Sequence, residues 1–418
     1  MYKKTIVVGA GAAGLFFGAS APASAGSDIL ILEKTDKIGT KLLMSGSGHC
    51  NLTHSGSIKE FLSCYGDNGS RIRTCLYRHN NLEYVRFMES IGIKTAERED
   101  GKIFPASMDS HDVLKALAAA LSSNSVTIVK KSPVTAFKAI PGGFEVAVSR
   151  GSSASSEWGG ERTFTCENLV IAAGGASYPT TGSDGSLIKI LNRDLGVEIT
   201  RLRPALAPVY VQNYPFEELS GISFRNAGLK IYDNAGSKSR EASGDLLLTH
   251  RSLSGPLMLN NSRYINPGFR VEINFVFPYT VSSVLSRIKA VCSGNNKTAV
   301  SFFTEEYGLP KRFVSLVLGI YGLEQKKLSS ITGDEMKTAA GAFAKAEFAV
   351  SGTGSFREAM ATNGGVDLRG VNLSTMESKT HKGLFFIGEI LDIDGNTGGY
   401  NLQFAYSSAR ACLDAIYT

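Results

Sequence analysis

Thr5-Ile6-Val7-Val8-Gly9-Ala10-Gly11-Ala12-Ala13-Gly14 opens the chain as an apolar strand, a Gly-x-Gly-x-x-Gly turn and the start of a helix. A second apolar run, Ile29-Leu30-Ile31-Leu32, ends on Glu33. Strand, glycine turn, helix and acid-capped strand form the first βαβ unit of a dinucleotide site. Gly9 allows the tight turn, Gly11 lets the backbone approach a pyrophosphate, and Gly14 lets the helix lie close to the strand. The helix N-terminus then offers unpaired N–H groups and the positive end of its dipole to the phosphates. Glu33 can accept hydrogen bonds from an adenosine ribose and favours a free 2′-hydroxyl. A glycine triplet alone also marks structural turns. Here both strands and the acid stand at the spacing a nucleotide needs.

At 418 residues the chain exceeds one core, so two or three domains are expected. Hydrophobic content of 43% and charged content of 20% are those of an ordinary globular protein. The net charge of +6 is mild and suits anionic cofactors as readily as nucleic acid. No dense Lys/Arg block marks an RNA-binding tail, so a small-molecule substrate is expected rather than nucleic acid. Cys50, Cys64, Cys75, Cys166, Cys292 and Cys412 form no Cys-x-x-Cys pair, which argues against a zinc ribbon, a dithiol motif or any metal. They read as reduced thiols of a cytoplasmic protein. Lys3-Lys4, the apolar stretch and Ala21-Pro22-Ala23-Ser24-Ala25 imitate a secretory signal, but cleavage there would destroy the phosphate loop. No apolar run approaches the roughly 18–20 residues of a membrane span. Nothing in the pattern assigns an oligomeric state.

Beyond Glu33 the stretch from Gly39 to Thr53 is loop-like and rich in small residues. Helical periodicity returns at Asn81–Ser90 and at His111–Leu121. Strands follow at Val126–Val129, Pro133–Lys138 and Phe144–Val148, with Gly142-Gly143 as a turn, and Ser149–Gly160 reads as a Ser/Gly-rich hairpin tip. Asn168–Ala173 is a buried strand ending in glycines. Short alternating strands at Val209–Val211, Leu229–Tyr232, Leu246–Leu248 and Val271–Phe277 suggest a small barrel or sandwich. Val281–Lys345 turns helical, and strand character returns at Glu347–Ser351.

The C-terminal block from Gly383 to Gln403 repeats strand, glycine loop and helix. A simple NAD dehydrogenase has no need of this second loop, whereas FAD lies extended and its ribityl chain and flavin need contacts of their own. Asp392 is placed by sequence to meet the ribityl chain or pyrophosphate. The Gly398-Gly399 turn aims the following helix N-terminus at the flavin pyrimidine, where reduction places negative charge. The bland alternative is a glycine-rich hairpin beside a helix.

These motifs carry a family resemblance. Gly9–Gly14, Lys41–Thr53, Gly101–Pro105, Ala172–Asp184, Thr249–Pro256, Gly354–Val366 and Gly383–Gln403 together resemble the BaiN-like (YhiN-like) NAD(P)/FAD-dependent oxidoreductases, often labelled aminoacetone oxidase family proteins. The resemblance covers nearly the whole chain. It implies an α/β fold: a Rossmann-like FAD-binding domain of the two-dinucleotide-binding-domain flavoprotein type, interrupted by a β-barrel and a small helical subdomain. The expected boundaries are 1–195 and 353–418 for the FAD domain, 196–280 for the barrel, 281–345 for the helical insert, and 346–352 for a strand returning to the barrel. Besides Gly9, Gly11, Gly14, Glu33, Asp392 and Gly399, it implies cofactor contacts at Ala13, Lys34, Lys41, Gly46, Cys50, Asn51, Leu52, Val134, Ala173, Gly174, Gly388, Glu389, Asn401 and Leu402. Thr40 and His49 depart from it, because the family usually carries Arg at both. Losing two guanidiniums removes bidentate phosphate contacts. An imidazole such as His49 is also a group to which flavins can be covalently joined.

The expected chemistry is hydride exchange between flavin N5 and a small organic molecule, the ring carrying the redox step and the protein positioning it. No second Gly-x-Gly-x-x-Gly unit is present, so NADH or NADPH as reductant must dock directly over the flavin, between the FAD domain and the insert. Tyr178, His250, Arg251, Arg357 and Tyr400 are the candidate catalytic residues. The tyrosines can donate a proton or stack, His250 can act as acid or base, and the arginines can clamp a carboxylate or enolate. Each also has a plain structural reading, as core aromatic or ion-pair partner. Two other classes stand beside this one: a flavin-dependent RNA-modifying enzyme and a non-catalytic FAD-binding regulator.

Overall fold

The computed structural model describes residues 1–149 and 162–418. The hairpin tip expected at 149–160 lies, from residue 150 onward, outside the described residues. Backbone contacts divide the chain into two units, Met1–Ala205 with Phe356–Thr418, and Leu206–Ser355.

The first unit is built on a seven-stranded sheet. Five strands run parallel in the order Leu384–Phe386, Asn168–Ile171, Thr5–Val8, Ile29–Leu32, Thr127–Val129. Every residue of Thr5–Val8 and Ile29–Leu32 is buried, which is why these strands read as continuous rather than alternating apolar runs. The chain goes from Thr5–Val8 to Ile29–Leu32 on one side, and Asn168–Ile171 joins on the other. The strand order therefore reverses at Thr5–Val8, and a crevice opens beyond the carboxyl ends there. Helix Ala12–Ala19 and the C-terminal helix Tyr400–Tyr417 pack together, joined through Phe16 and Tyr406 at 5.9 Å between ring centroids. The loop expected after Gly39 contains one helical turn, Thr40–Leu43, started by Gly39 in a left-handed conformation.

The second unit contains a closed six-stranded barrel in the order Val209–Val211, Leu253–Ser254, Lys238–Leu248, Ser223–Tyr232, Arg270–Asn274, Ala346–Thr353. Two of these strands are longer than the alternation suggested. Lys238–Leu248 is exposed and polar over its first half, and Ser223–Tyr232 is interrupted by exposed Arg225-Asn226 at a register shift, so neither carries an apolar period over its full length. Helices Val281–Val291, Ala299–Tyr307, Lys311–Ile320 and Gly333–Ala344 accompany the barrel, and Phe313 meets Phe343 and barrel-side Phe224 and Phe275 in one core.

The division between the units falls later than 195/196 because Arg203–Ala205 pairs antiparallel with Ala361–Asn363 of the first unit. The return falls after Ser355 rather than at 352/353, because the last barrel strand runs to Thr353 and the Gly354 N–H donates to the Pro208 carbonyl at 2.8 Å.

Candidate cofactor site

The strand end at Gly9 defines the first wall. Gly9 has φ 107°, and a Cβ there would lie 2.6 Å from the Ala172 carbonyl oxygen of the neighbouring strand end. A Cβ on Gly14 would lie 2.0 Å from the Gly9 oxygen, so helix and turn touch backbone to backbone. Gly11 differs. A Cβ built on it meets nothing within 4 Å, so its face opens onto free space. The first bond inside the helix runs from the Leu15 N–H to the Gly11 carbonyl at 2.9 Å. That leaves the N–H groups of Ala12, Ala13 and Gly14 outside the helical ladder, with no side-chain cap and no acidic residue in the first turn. An open cradle beneath an uncapped positive helix end fits the diphosphate of a dinucleotide.

Glu33 is buried at the end of the second strand, and its carboxylate already accepts three hydrogen bonds. Oε2 takes the Ala10 N–H at 2.8 Å, and Oε1 takes the Thr35 N–H and hydroxyl, each at 2.8 Å. A carboxylate has about four lone-pair sites, so one remains for a ribose hydroxyl. Glu33 thus also holds the phosphate loop in shape, a duty its sequence position did not reveal. Replacing Glu33 by Ala should weaken FAD binding by about 1.5–3 kcal/mol, the scale of a hydrogen bond to a charged group. It should also lower the melting temperature, because the buried Ala10 N–H loses its acceptor. Calorimetric titration of the apoprotein with FAD, beside a thermal melt, checks both effects. Lys34 pairs with Asp184 at 2.9 Å. Burial opposes ionisation of Asp184, but bonds from Ser186 and Lys34 hold its carboxyl below the usual range.

The second wall comes from three later segments. The Lys41 ammonium bridges both carboxylate oxygens of Glu389, at 2.9 and 2.7 Å. Glu389 Oε1 also accepts the Thr362 N–H at 2.8 Å. The fully buried Thr362 hydroxyl in turn accepts the Ala176 and Ser177 N–H groups, at 2.8 and 3.1 Å. Ala173 and Gly174 lie just before that loop. Gly174 is left-handed, and a Cβ on it would reach to 4.0 Å from Glu389 Oε2. Gly388 is buried against Ala13 and donates its N–H to the Ser408 hydroxyl at 2.9 Å. Val134 is buried at the start of the strand Val134–Ile140.

The segment 46–53 turns through left-handed residues, Gly46 at φ 56° and Cys50 at φ 58°. Burial pushes the Cys50 thiol up to about 11, so it is an inert packing group rather than a nucleophile. Leu52 is buried and donates its N–H to the Ile103 carbonyl at 2.9 Å. The Asn51 amide, oriented to satisfy its neighbours, donates to the Thr53 carbonyl at 3.0 Å and accepts the Gly399 N–H at 3.3 Å. It joins this segment to the start of the C-terminal helix, whose first turn carries Asn401 and Leu402 and has no side-chain cap. Asn401 folds the preceding loop back by clamping Gly395 from both sides, at 2.7 and 2.9 Å. Asp392 Oδ1 accepts the Gly364 N–H at 3.0 Å, so its carboxylate organises loop backbone.

The candidate catalytic residues divide between the units. Tyr178, Arg357 and Tyr400 lie in the first, and His250 and Arg251, both exposed, in the second. Tyr178 is held left-handed at φ 55°, its N–H donating to the Phe356 carbonyl at 2.9 Å; burial raises its phenol. Arg357 is exposed. Arg251 lies over the Tyr210 ring at 5.9 Å. The Tyr400 ring stacks on His54 at 5.6 Å and meets Phe61 edge-on at 5.0 Å; burial and the Cys64 side chain push its phenol far up. Thr362 and His54 were not singled out from sequence. A lone threonine inside Ala361–Asn363 gives no signal, and His54 lies one residue beyond the stretch Lys41–Thr53 that the motifs marked out.

Sheet order, the reversal at Thr5–Val8 and an open glycine turn beneath an uncapped helix define a domain of Rossmann type with the geometry of a dinucleotide site. Residues 3–415 match the model of the HI0933-like protein Rossmann domain, and the chain belongs to that family. It is 31% identical to a ribosomal RNA dihydrouridine synthase of Haemophilus influenzae, over 98% of both chains. It is also 29% identical to a 3-dehydro-bile acid delta(4,6)-reductase of Clostridium scindens, over 96% of both. Among solved structures, a flavocytochrome c3 fumarate reductase shares the fold at TM-score 0.50 and 14% identity, covering 100% of this chain and 79% of that one. A 3-ketosteroid-delta4-(5alpha)-dehydrogenase from Rhodococcus jostii does so at 0.50 and 13%, covering 99% and 97%. No helix among the described residues is long and apolar enough to cross a membrane.

Proposed function

We propose that this chain is a cytoplasmic member of the BaiN-like branch that exchanges a hydride between FAD and a small organic molecule, with NADH or NADPH docking directly at the flavin. When bound, FAD supplies that exchange at N5. The observation that carries the reading is the open face of Gly11 beneath an uncapped helix, matched by a second uncapped helix start at Tyr400. The first suits a diphosphate, and the second suits the negative charge of a reduced flavin. Lys41, Glu389 and Thr362 keep the intervening segments in place. Tyr178, Tyr400, His250, Arg251 and Arg357 remain the candidates for substrate contact.

The protein should purify yellow, with FAD rather than FMN, because the glycine turn and Glu33 are spaced for an adenosine diphosphate moiety that FMN lacks. Heat release followed by chromatography identifies the cofactor, and anaerobic titration with NADH and NADPH identifies the reductant. Recovered FMN, or a colourless protein that FAD does not reconstitute, would sink the proposal. The relatives named as ribosomal RNA dihydrouridine synthases support a second reading, in which the reduced partner is a uracil ring within RNA. Salt-dependent retention on ribosomal RNA favours that reading.

A further inference from the structure

Beyond Gly174 the chain makes a loop whose ends meet. The Gly185 N–H donates to the Gly175 carbonyl at 3.1 Å and ties the neck. At the base, the Thr362 hydroxyl accepts the Ala176 and Ser177 N–H groups. Loops closed in this way are compact and frequently functional. Two glycines set what this one lies against. Gly182 has φ 99°, and a Cβ there would lie 3.0 Å from Thr35 Cγ2, 3.7 Å from Lys34 Cε and 4.0 Å from Glu33 Oε1. The loop therefore flanks the carboxylate that keeps one lone-pair site for a ribose hydroxyl. Ser183, the next residue, faces Gly174. A Cβ on Gly174 would lie 3.0 Å from the Ser183 hydroxyl oxygen and 4.0 Å from Glu389 Oε2. Ser183 is only 8% exposed, and among the described residues its hydroxyl has no hydrogen-bond partner. An unpaired buried hydroxyl is costly, and native folds keep few of them. Asp184 follows and pairs at 2.9 Å with Lys34, the residue after Glu33.

We propose that this loop is a clasp on the adenosine diphosphate half of the cofactor. The Ser183 hydroxyl is a ligand of that half, and the Lys34–Asp184 pair is the latch that sets how fast it is released. The inference rests on the FAD reading and adds to it a binding residue and a control on cofactor exchange. Ribose and diphosphate oxygens alike accept a serine O–H. Rotation about χ1 is enough to turn that hydroxyl from Gly174 toward a group arriving beside it. Both partners of the latch are partly exposed, so the pair closes the loop weakly and salt loosens it.

The test titrates the apoprotein with FAD and, separately, with ADP. In Ser183→Ala both should bind about five- to tenfold more weakly, the scale of one hydrogen bond. The factor should be the same for the two, because the lost contact lies in the half they share. The melting temperature of the Ser183→Ala apoprotein should hold or rise, since alanine removes a hydroxyl that the free protein leaves unpaired. A hydroxyl with a purely structural duty would lower stability and affinity together. Release is followed by flavin fluorescence after holoprotein is diluted into excess ADP. Lys34→Gln leaves the bonds from Ser186 to Asp184 in place. It should release FAD about two- to threefold faster at low salt. It should also abolish the acceleration that about 1 M salt produces in the wild type. Unchanged FAD affinity in Ser183→Ala, a loss for FAD that ADP does not share, or a lower melting temperature overturns the clasp. Wild-type release and salt response in Lys34→Gln overturn the latch. A wild-type protein that binds neither FAD nor ADP overturns the underlying reading as well.

Discussion

Gly11→Ala should abolish tight FAD binding while leaving the fold intact, and Gly14→Ala should damage both. Two glycines of one motif differ because their missing side chains face different things. A Cβ on Gly11 meets no protein atom within 4 Å, and its φ of −78° and ψ of −171° are open to any residue. The methyl group would instead occupy the space in which a phosphate approaches the uncapped N–H groups. Losing two hydrogen bonds to a charged ligand costs about 3 kcal/mol or more, roughly a hundredfold in affinity. On Gly14 the same methyl would sit 2.0 Å from the Gly9 carbonyl oxygen, against a floor of 3.0 Å for real contacts. Helix Ala12–Ala19 would have to retreat by about that 1 Å difference, and overpacking of this kind typically costs about 1–3 kcal/mol. Thermal melts of the apoproteins, followed by titration with FAD, separate the two effects. Equal melting temperatures with normal FAD affinity in both variants would remove the diphosphate from this loop.

The central sheet was legible because burial on both faces makes its strands uniformly apolar, and because the glycine turn and Glu33 carry a spacing constraint that few other structures share. The barrel was only half legible. The first half of Lys238–Leu248 is exposed and polar, and a register shift at exposed Arg225-Asn226 breaks the period of its partner Ser223–Tyr232. The division at Ala205 depended on Arg203–Ala205 meeting Ala361–Asn363, a pairing too remote in sequence for any local pattern to announce. The same limit hid much of the site. The bond from Thr362 to Glu389 and the Lys41–Glu389 pair join segments that only the folded sheet brings together. Asp392 illustrates the same limit. A carboxylate in a glycine loop suggested a ligand contact, and the structure adds a bond from the Gly364 N–H to its Oδ1 that no local pattern announced.

Gly399→Val should lower the flavin midpoint potential by about 20 mV or more in a protein that still folds and still binds FAD. Gly399 starts the C-terminal helix at φ 94°, a conformation a β-branched residue resists. A Cβ there would lie 2.6–2.8 Å from the Thr53 Cα, carbonyl carbon and nitrogen, all backbone atoms with no side-chain freedom to yield. The helix start must therefore move away from Thr53, and the Asn51 bond to the Gly399 N–H is strained with it. The fold has reserves against this change, since the helix runs eighteen residues to Tyr417 and is anchored further along. Gln403, for example, accepts the Thr53 hydroxyl at 2.6 Å. What suffers is the placement of the first turn. A helix N-terminus stabilises a nearby negative charge by about 1 kcal/mol, and reduction creates such a charge on the flavin. At about 30 mV per 1.4 kcal/mol for a two-electron couple, loss of that dipole gives the expected shift, and its sign follows because the reduced form alone is destabilised. Equilibration with a reference dye measures the potential in wild type and variant once equal FAD content is established. An unchanged potential in a fully loaded variant would mean that this helix faces some other part of the cofactor, and the charge of the reduced ring would then have to be met by the 46–53 segment instead.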